Sequence, residues 1–573
     1  MMKIYLFFII IVLKIFYLVQ CKLFSKIIEE TRELLRENVR EIFDQNIKSY
    51  NDINNLEQKI LELYKNYNTS IKRNLYENND TVKIMNKDYE NNFDFIMDNS
   101  MFNPTLFQGD ILLTDNQIKK IIDDLNKQIL DINREITKTT LTPEVSLTTI
   151  QEIITTTIKT TVSTTIIDIE STTNNDILEK NTTTVLTLSP NTKELDNTRT
   201  TTTKDDYDYS EENDEEKNIR NKRNLNNTNL EIIKWKLPIS YYIDPAINHN
   251  NVKQAIKLFH KNTCIRFIKK ENYINNTEGI NFYPGPGCLS FIGIVKKDNS
   301  QDISLGKDCD THISIIQHQI GHALGLIHQE SYSEREYTNK INNLNINKNL
   351  SWHLAISNYF NTFDFKFDYD FGSSMHFNDS KLSENGQQTI IPKIIQYNGM
   401  KTFNRTFNFN DYKILNYYYC NEKCPIKINK CENNGYQDPN NCLICKCSNP
   451  FSGKFCNILS HSVGACGKDI LIARHERQAL FRKGNSKCIY KILSKKFSKI
   501  FLNLTNLQNN SDEPCLEGTG LEIKYRSNKG ITGLCLCGTY TNISLYSEDN
   551  IVIVKYFGKK LSDYFRLEYT EVT

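Results

Sequence analysis

Residues 314–335 read SIIQHQIGHALGLIHQESYSER and place His318, His322 and His328 in the spacing H-x-x-x-H-x-x-G-x-x-H. Two histidines four apart lie one turn apart on one face of a helix, so both imidazoles can reach a single ion. Gly325 comes next, and glycine readily takes the left-handed conformation that ends a helix. The chain can then double back and deliver His328 as a third ligand from beyond the helix. Three neutral imidazoles with one open coordination position make a catalytic-type zinc site. Only 10 histidines occur in 573 residues, so three of them at this spacing are better explained by metal than by packing.

This is the metzincin signature, and the residues around it resemble the astacin family of zinc metallopeptidases. Arg335 falls where that family's motif has the arginine of its acidic and Arg-containing tail. Downstream, Tyr369-Asp370-Phe371-Gly372-Ser373-Ser374-Met375-His376-Phe377 resembles the Met-turn, whose methionine, here Met375, forms an apolar floor under the zinc. Upstream, Phe107-Gln108-Gly109-Asp110-Ile111 is similar to the family's propeptide switch. The resemblance implies that Asp110 ligates zinc in the latent form and blocks the water position. The segment 279–309 resembles the family's edge-strand region, where a substrate backbone would add as an extra strand. The resemblance also implies disulfides Cys264–Cys420 and Cys288–Cys309, and it covers Trp235 to Cys420 as well as the switch.

Three positions depart from the pattern. The residue after the first histidine, a general-base glutamate in the family, is Gln319. A carboxamide can hold a water but has no basic oxygen able to take and return a proton near neutral pH, and such acid–base work is worth about 10² to 10⁴ in rate. The tyrosine two residues past the Met-turn methionine is Phe377, and losing an oxyanion donor costs on the order of 10² to 10³. The glutamate after the third histidine, which meets the buried new amino terminus in the family, is Gln329, with Glu330 one step along.

Outside this region the composition is uneven. Lys3 precedes an apolar stretch interrupted by Lys14, so residues 1–21 read as a cleaved secretory signal, and no later segment is apolar for long enough to span a bilayer. A net charge of +2 offers no field for nucleic acid or an anionic membrane. Residues 22–136 read as a helical propeptide, with Ile28, Leu35, Val39 and Ile42 at helical spacing. Residues 137–223 are threonine-rich, then acidic, and read as disordered linker. That linker ends in Arg220-Asn221-Lys222-Arg223, where a furin-like protease could cut after Arg223 and start a new chain at Asn224. Residues 224–420 form the zinc domain, and EIIKWKLPISYYID (231–244) reads as its first strand.

Of 16 cysteines, twelve lie between Cys420 and Cys537, and such crowding after export reads as disulfides. Sequons such as Asn275-Asn276-Thr277 and Asn542-Ile543-Ser544 fit an extracellular compartment. Residues 421–459 resemble an EGF-like module, which implies Cys424–Cys442, Cys431–Cys445 and Cys447–Cys456. Residues 460–573 alternate like β-strands and resemble a CUB sandwich, which implies Cys466–Cys488 and Cys515–Cys537. An odd count after Cys21 leaves Cys535 free, exchanging roles with Cys537, or available to link two chains.

The expected fold is therefore multidomain: helical prosegment, α+β metzincin-type zinc domain, small disulfide-rich module and all-β sandwich. The expected function is that of a secreted, zinc-binding astacin homologue with crippled hydrolysis, which grips an extracellular protein or peptide ligand. An active secreted endopeptidase and a purely structural adhesion module are the rival readings.

Overall fold

The computed structural model describes residues 26–74, 106–140, 234–332, 334–354, 368–376, 379–400, 405–428, 430–511 and 514–573. The signal segment 1–21, most of the threonine-rich linker, Arg223 and Phe377 lie outside them. Contacts divide the chain into two units, residues 1–131 with 229–573, and residues 132–228. The candidate site belongs to the first unit. Among the described residues no helix is long and apolar enough to cross a membrane.

The amino-terminal segment is helical over 26–34, then forms α1 (Glu37–Asn74), β1 (Ile111–Leu112) and α2 (Asp115–Thr140). Val39 and Phe43 lie one turn apart on α1, and Leu35, in the break just before that helix, extends their apolar stripe. That stripe is buried against Leu106, Leu112, Leu289 and Phe291. α2 carries on to Thr140, a short way past the point where unstructured linker was expected to begin at 137.

The sheet that carries the site contains β1, β2 (Ile239–Ile243), β3 (Phe267–Lys269), β4 (Gly279–Tyr283), β5 (Cys288–Phe291) and β6 (Ser300–Leu305), in the order β1-β5-β6-β4-β2-β3. The first strand starts at Ile239, inside the stretch 231–244 that the sequence marks. β2, β3, β4 and β6 run parallel, while β5 is antiparallel to β6. β1 adds to the free edge of β5 in parallel, with Ile111 opposite Ser290 and Leu112 opposite Phe291.

Two helices cover one face of this sheet. α3 (His249–Asn262) is capped by the Asn248 side chain, which accepts from the Asn251 amide, and it buries Val252, Ala255, Ile256 and Phe259. α4 (Ile313–Ala323) carries the first two histidines and is buried from Ser314 to Ala323. Both share a core with Ile280, Phe282, Ile303 and Leu305. α5 (Phe409–Cys420) opens with a capping box between Asn408 and Asp411. The Cys264–Cys420 disulfide closes 156 residues of chain, which restricts the unfolded state by about 4–5 kcal/mol in the chain-entropy account. Cys288 pairs with Cys309.

Beyond Cys420 the region is disulfide- and β-rich. Cys424–Cys442, Cys431–Cys445 and Cys447–Cys456 staple residues 424–456. A five-stranded and a four-stranded sheet follow within residues 470–572. Cys466–Cys488 and Cys515–Cys537 are bonded. Cys535 is free and buried, and its thiol donates to the Leu516 carbonyl at 3.4 Å. Burial there takes Cys535 out of reach of a second chain, which removes the sequence-based suggestion of an intermolecular link.

The apolar core of these two sheets also takes in Tyr369, Phe371, Tyr397 and Met400. Phe371 stacks on Tyr397 at 4.0 Å, Arg526 donates to the Tyr369 carbonyl at 2.8 Å, and the Thr532 amide lies 3.2 Å from both Asp370 oxygens. Gly372 is pressed so close that an added Cβ would meet Thr532 Oγ1 at 2.1 Å. Overpacking of this kind costs about 1–3 kcal/mol. Gly372→Ala should lower the urea midpoint accordingly without changing the slope, and pairing it with Thr532→Gly should recover part of the loss.

Candidate metal centre

α4 places His318 and His322 one turn apart, and the chain then reverses at Gly325, whose φ of 104° lies in the left-handed region. The Gly325 amide donates to the His322 carbonyl at 2.8 Å and the Leu326 amide to that of Gly321 at 2.9 Å, closing the helix. His328 is thereby returned to the other two. All three rings are buried.

Each ring is oriented through Nδ1. That atom of His318 lies 2.7 Å from the Ser374 carbonyl, that of His322 lies 2.9 Å from the Leu326 carbonyl, and that of His328 lies 2.9 Å from Gln108 Oε1. Three oxygen acceptors fix the proton on Nδ1 in each case, which leaves three Nε2 lone pairs. Burial pushes the His322 imidazole down to about 4, so it is neutral at physiological pH. His318 Nε2 lies 3.0 Å from that of His322 and 3.1 Å from that of His328. Lone pairs held so close repel unless a cation sits between them.

The amino-terminal segment completes the set. Phe107 and Ile111 pair their backbones both ways at 3.0 Å, and between them Gln108 (φ 54°) and Gly109 (φ 92°) take left-handed conformations. The tight loop points Asp110 at the histidines. One carboxylate oxygen lies 3.0 Å from His318 Nε2 and 3.4 Å from that of His322, and the other 3.4 Å from that of His328. Burial would raise the Asp110 pKa, yet the facing His328 and His322 hold it well below the usual range, so it is a carboxylate. Its Oδ1 is buried with no hydrogen-bond partner among the described residues. Ligand atoms of Asp110, His318, His322 and His328 all fall within 4.8 Å of one another, a donor set that fits a divalent metal such as zinc.

Several supporting residues escape a reading of the sequence. Gln108 Nε2 donates to the Ser331 hydroxyl and, at 3.1 Å, to the His353 carbonyl, so its amide bridges the amino-terminal loop and the third ligand. Gly321 makes room for Met375, the floor expected from the sequence, which is buried beneath the site: a Cβ at 321 would meet Met375 Sδ at 2.9 Å. Asp411 accepts from Ser373 Oγ at 2.5 Å and from the Ser374 amide at 3.0 Å, which holds the turn whose carbonyl orients His318.

Gln319 is fully buried beside the metal ligands, and its Nε2 donates to Asp110 Oδ2 at 2.9 Å. Gln329 Oε1 accepts from the Asp370 amide at 3.2 Å, while its own amide donates to the Met375 carbonyl at 2.7 Å, so it joins the third-ligand loop to the Met-turn. Glu330 Oε1 lies 2.6 Å from His376 Nδ1, a second tie between those segments. Arg335 donates to the Glu330 carbonyl at 2.5 Å.

A three-histidine centre built on a helix that ends at glycine, floored by a methionine, defines a metzincin-type zinc domain. Residues 227–420 match the family profile described as Astacin, a peptidase family. The chain is 30% identical over 344 residues to Zinc metalloproteinase nas-34 of Caenorhabditis elegans, covering 59% of this chain and 56% of that protein. It is 32% identical over 242 residues to Zinc metalloproteinase nas-36 of Brugia malayi, covering 41% and 40%. A solved structure, High choriolytic enzyme 1 of Oryzias latipes, matches at 26% identity with a TM-score of 0.27, covering 33% of this chain and 94% of that one. The chain spans about half the length of the curated relatives first matched. The match to the astacin family is carried by the domain at 227–420, and zinc is the cofactor of that domain.

Replacing any one of His318, His322 or His328 by alanine should drop the zinc content of the purified chain from about one ion towards none, read by plasma emission spectrometry. Gln108→Ala should keep the site but weaken zinc retention about 10- to 100-fold in a chelator competition, because it frees only the outer nitrogen of His328.

Proposed function

We propose that this chain is a secreted, zinc-binding astacin homologue whose hydrolysis is severely impaired and whose prosegment is held on the site, acting through peptide or partner binding. The observation that carries this reading is the hydrogen bond from Gln319 to Asp110. A glutamate at 319 would set a second carboxylate against Asp110, a like-charge pair in a buried site. The amide removes that repulsion and supplies a donor instead.

When bound, zinc supplies Lewis-acid polarisation of a peptide carbonyl or a water. The chain's own residues bring little else to turnover. Gln319 can orient a water but cannot accept its proton, and Phe377 has no hydroxyl to stabilise an oxyanion. Binding is better provided for, since β5 offers a sheet edge that β1 already uses.

In the layout we infer, residues 1–21 are a signal, 22–136 the prosegment and 137–223 a linker cut by a furin-like protease after Arg223. Residues 421–459 are an EGF-like module and 460–573 a CUB domain. The three short-range disulfides of the former and the paired β-sheets of the latter support those names. The ligand is an extracellular protein or peptide.

The chain cleaved after Arg223 should turn over a broad peptide library at least about 10²-fold more slowly than its Gln319→Glu, Phe377→Tyr variant, both with a chelator control. Brisk chelator-sensitive cleavage by the unaltered chain would establish the active endopeptidase instead. In the uncleaved chain, Gln319→Glu should speed hydrogen exchange of residues 106–113 by about fivefold or more, because the Asp110 contact turns repulsive; unchanged exchange would remove Gln319 from the latch.

A further inference from the structure

On the sheet face turned away from α3 and α4 lies a second constellation. Ile280, Phe282, Ile303 and Leu305 point into the helix-side core, so by alternation Tyr283 and Asp302 point outward. Arg36, from the amino-terminal segment, reaches them. Its guanidinium carbon lies 4.4 Å from the ring centroids of both Tyr273 and Tyr283, and Nη1 lies 3.2 and 3.3 Å from the two Asp302 oxygens. The Tyr273 hydroxyl donates to Asp302 at 3.1 Å, and Tyr242 meets the Tyr273 ring edge-on at 6.0 Å.

These features are those of a built binding site. With Arg36 in place the Asp302 side chain, on the zinc domain's own strand, is only 3% exposed, so the carboxylate is held out of water against the guanidinium. Such a group needs a cation. Two aromatic faces flank the space beside it, which suits a flat, weakly hydrated guanidinium better than a compact ammonium. The Arg36 side chain is itself 28% exposed, so the site opens to solvent. Beside it, Leu289 and Phe291 are covered by Leu35, Val39 and Phe43. The occupant is thus an arginine in the short break before α1, next to Leu35 and just ahead of Val39 and Phe43.

We propose that Tyr273, Tyr283 and Asp302 form an arginine-binding site remote from the zinc, filled in cis by Arg36. Once the amino-terminal segment is withdrawn, the site takes an arginine of another protein that stands, like Arg36, just before an amphipathic helix. The neighbouring apolar residues, matched now by Leu35, Val39 and Phe43, supply the rest of the contact. This goes beyond the catalytic reading and does not depend on Gln319, Phe377 or the metal.

The test uses the full chain with the pocket emptied by Arg36→Ala or by Arg36→Gln, the latter keeping more of the stem's packing. The probe is N-acetyl-L-arginine amide, followed by calorimetry and saturation-transfer NMR. Both variants should bind it on the order of tenfold more tightly than the unaltered chain, whose own Arg36 competes. Adding Asp302→Asn or Tyr273→Leu should abolish the gain, and N-acetyl-L-lysine amide should bind several-fold more weakly. The proposal fails if an emptied variant with unchanged circular dichroism and zinc content does not bind the probe. It fails equally if Asp302→Asn makes no difference or lysine amide binds as well. Loss or survival of peptidase activity leaves this outcome untouched.

Discussion

Three imidazole lone pairs forced to one point are the constraint on which the rest of this structure depends. Each ring gives its proton outward to an oxygen, so none can relieve the crowding by turning a donor inward. The fold spends much of its order on that arrangement. α4 supplies two rings, the left-handed Gly325 returns the third, and Gly321 is bare so that Met375 can lie beneath. The oxygens that set the rings come from the Met-turn, from α4's own end and from the amino-terminal loop, so the centre stands at the meeting point of segments far apart in sequence. A metal is what makes their convergence favourable.

Beside that centre a single neutral amide, Gln319, faces Asp110. In a working peptidase of this class, the residue at 319 must be a base, and the same negative charge that activates water repels an inhibitory carboxylate. Gln319 gives up the first property and reverses the second. Its buried donor meets Asp110, while the left-handed turn at Gln108 and Gly109 and the parallel pairing of β1 with β5 hold the loop in place. In the proposed reading, one residue both weakens catalysis and favours occupancy of the site by Asp110.

How far the sequence announced this depends on the range of each interaction. The three histidines, Gly325 and the FQGDI loop were legible because helix period, a left-handed glycine and a short turn are local matters, written within a dozen residues. The cysteine pairs, Cys264–Cys420 across 156 residues among them, were implied by family resemblance rather than by spacing alone. What could not be read was long-range. Nothing near Gln108 says that it will grip His328, and nothing near Glu330 announces His376, 46 residues away. Arg36 looked like one charge among many on an amphipathic helix, and its pocket is assembled from three separate strands and loops. Thr532 carries no local pattern at all, and the capping box at Asn408 and Asp411 gives no sign that Asp411 will also hold Ser373 and Ser374.

Module boundaries drawn from cysteine patterns suggest beads that could be cut apart. The apolar cluster shared by Tyr369, Phe371, Tyr397 and the carboxy-terminal sheets says otherwise. A sequence module here is not a thermodynamic unit. Severing the chain after the zinc domain would leave the stacked rings of Phe371 and Tyr397 facing water, next to the segment that floors the metal. The paired sheets therefore serve as a wall for the segment beside the metal, and a cut at the motif's boundary would open that wall.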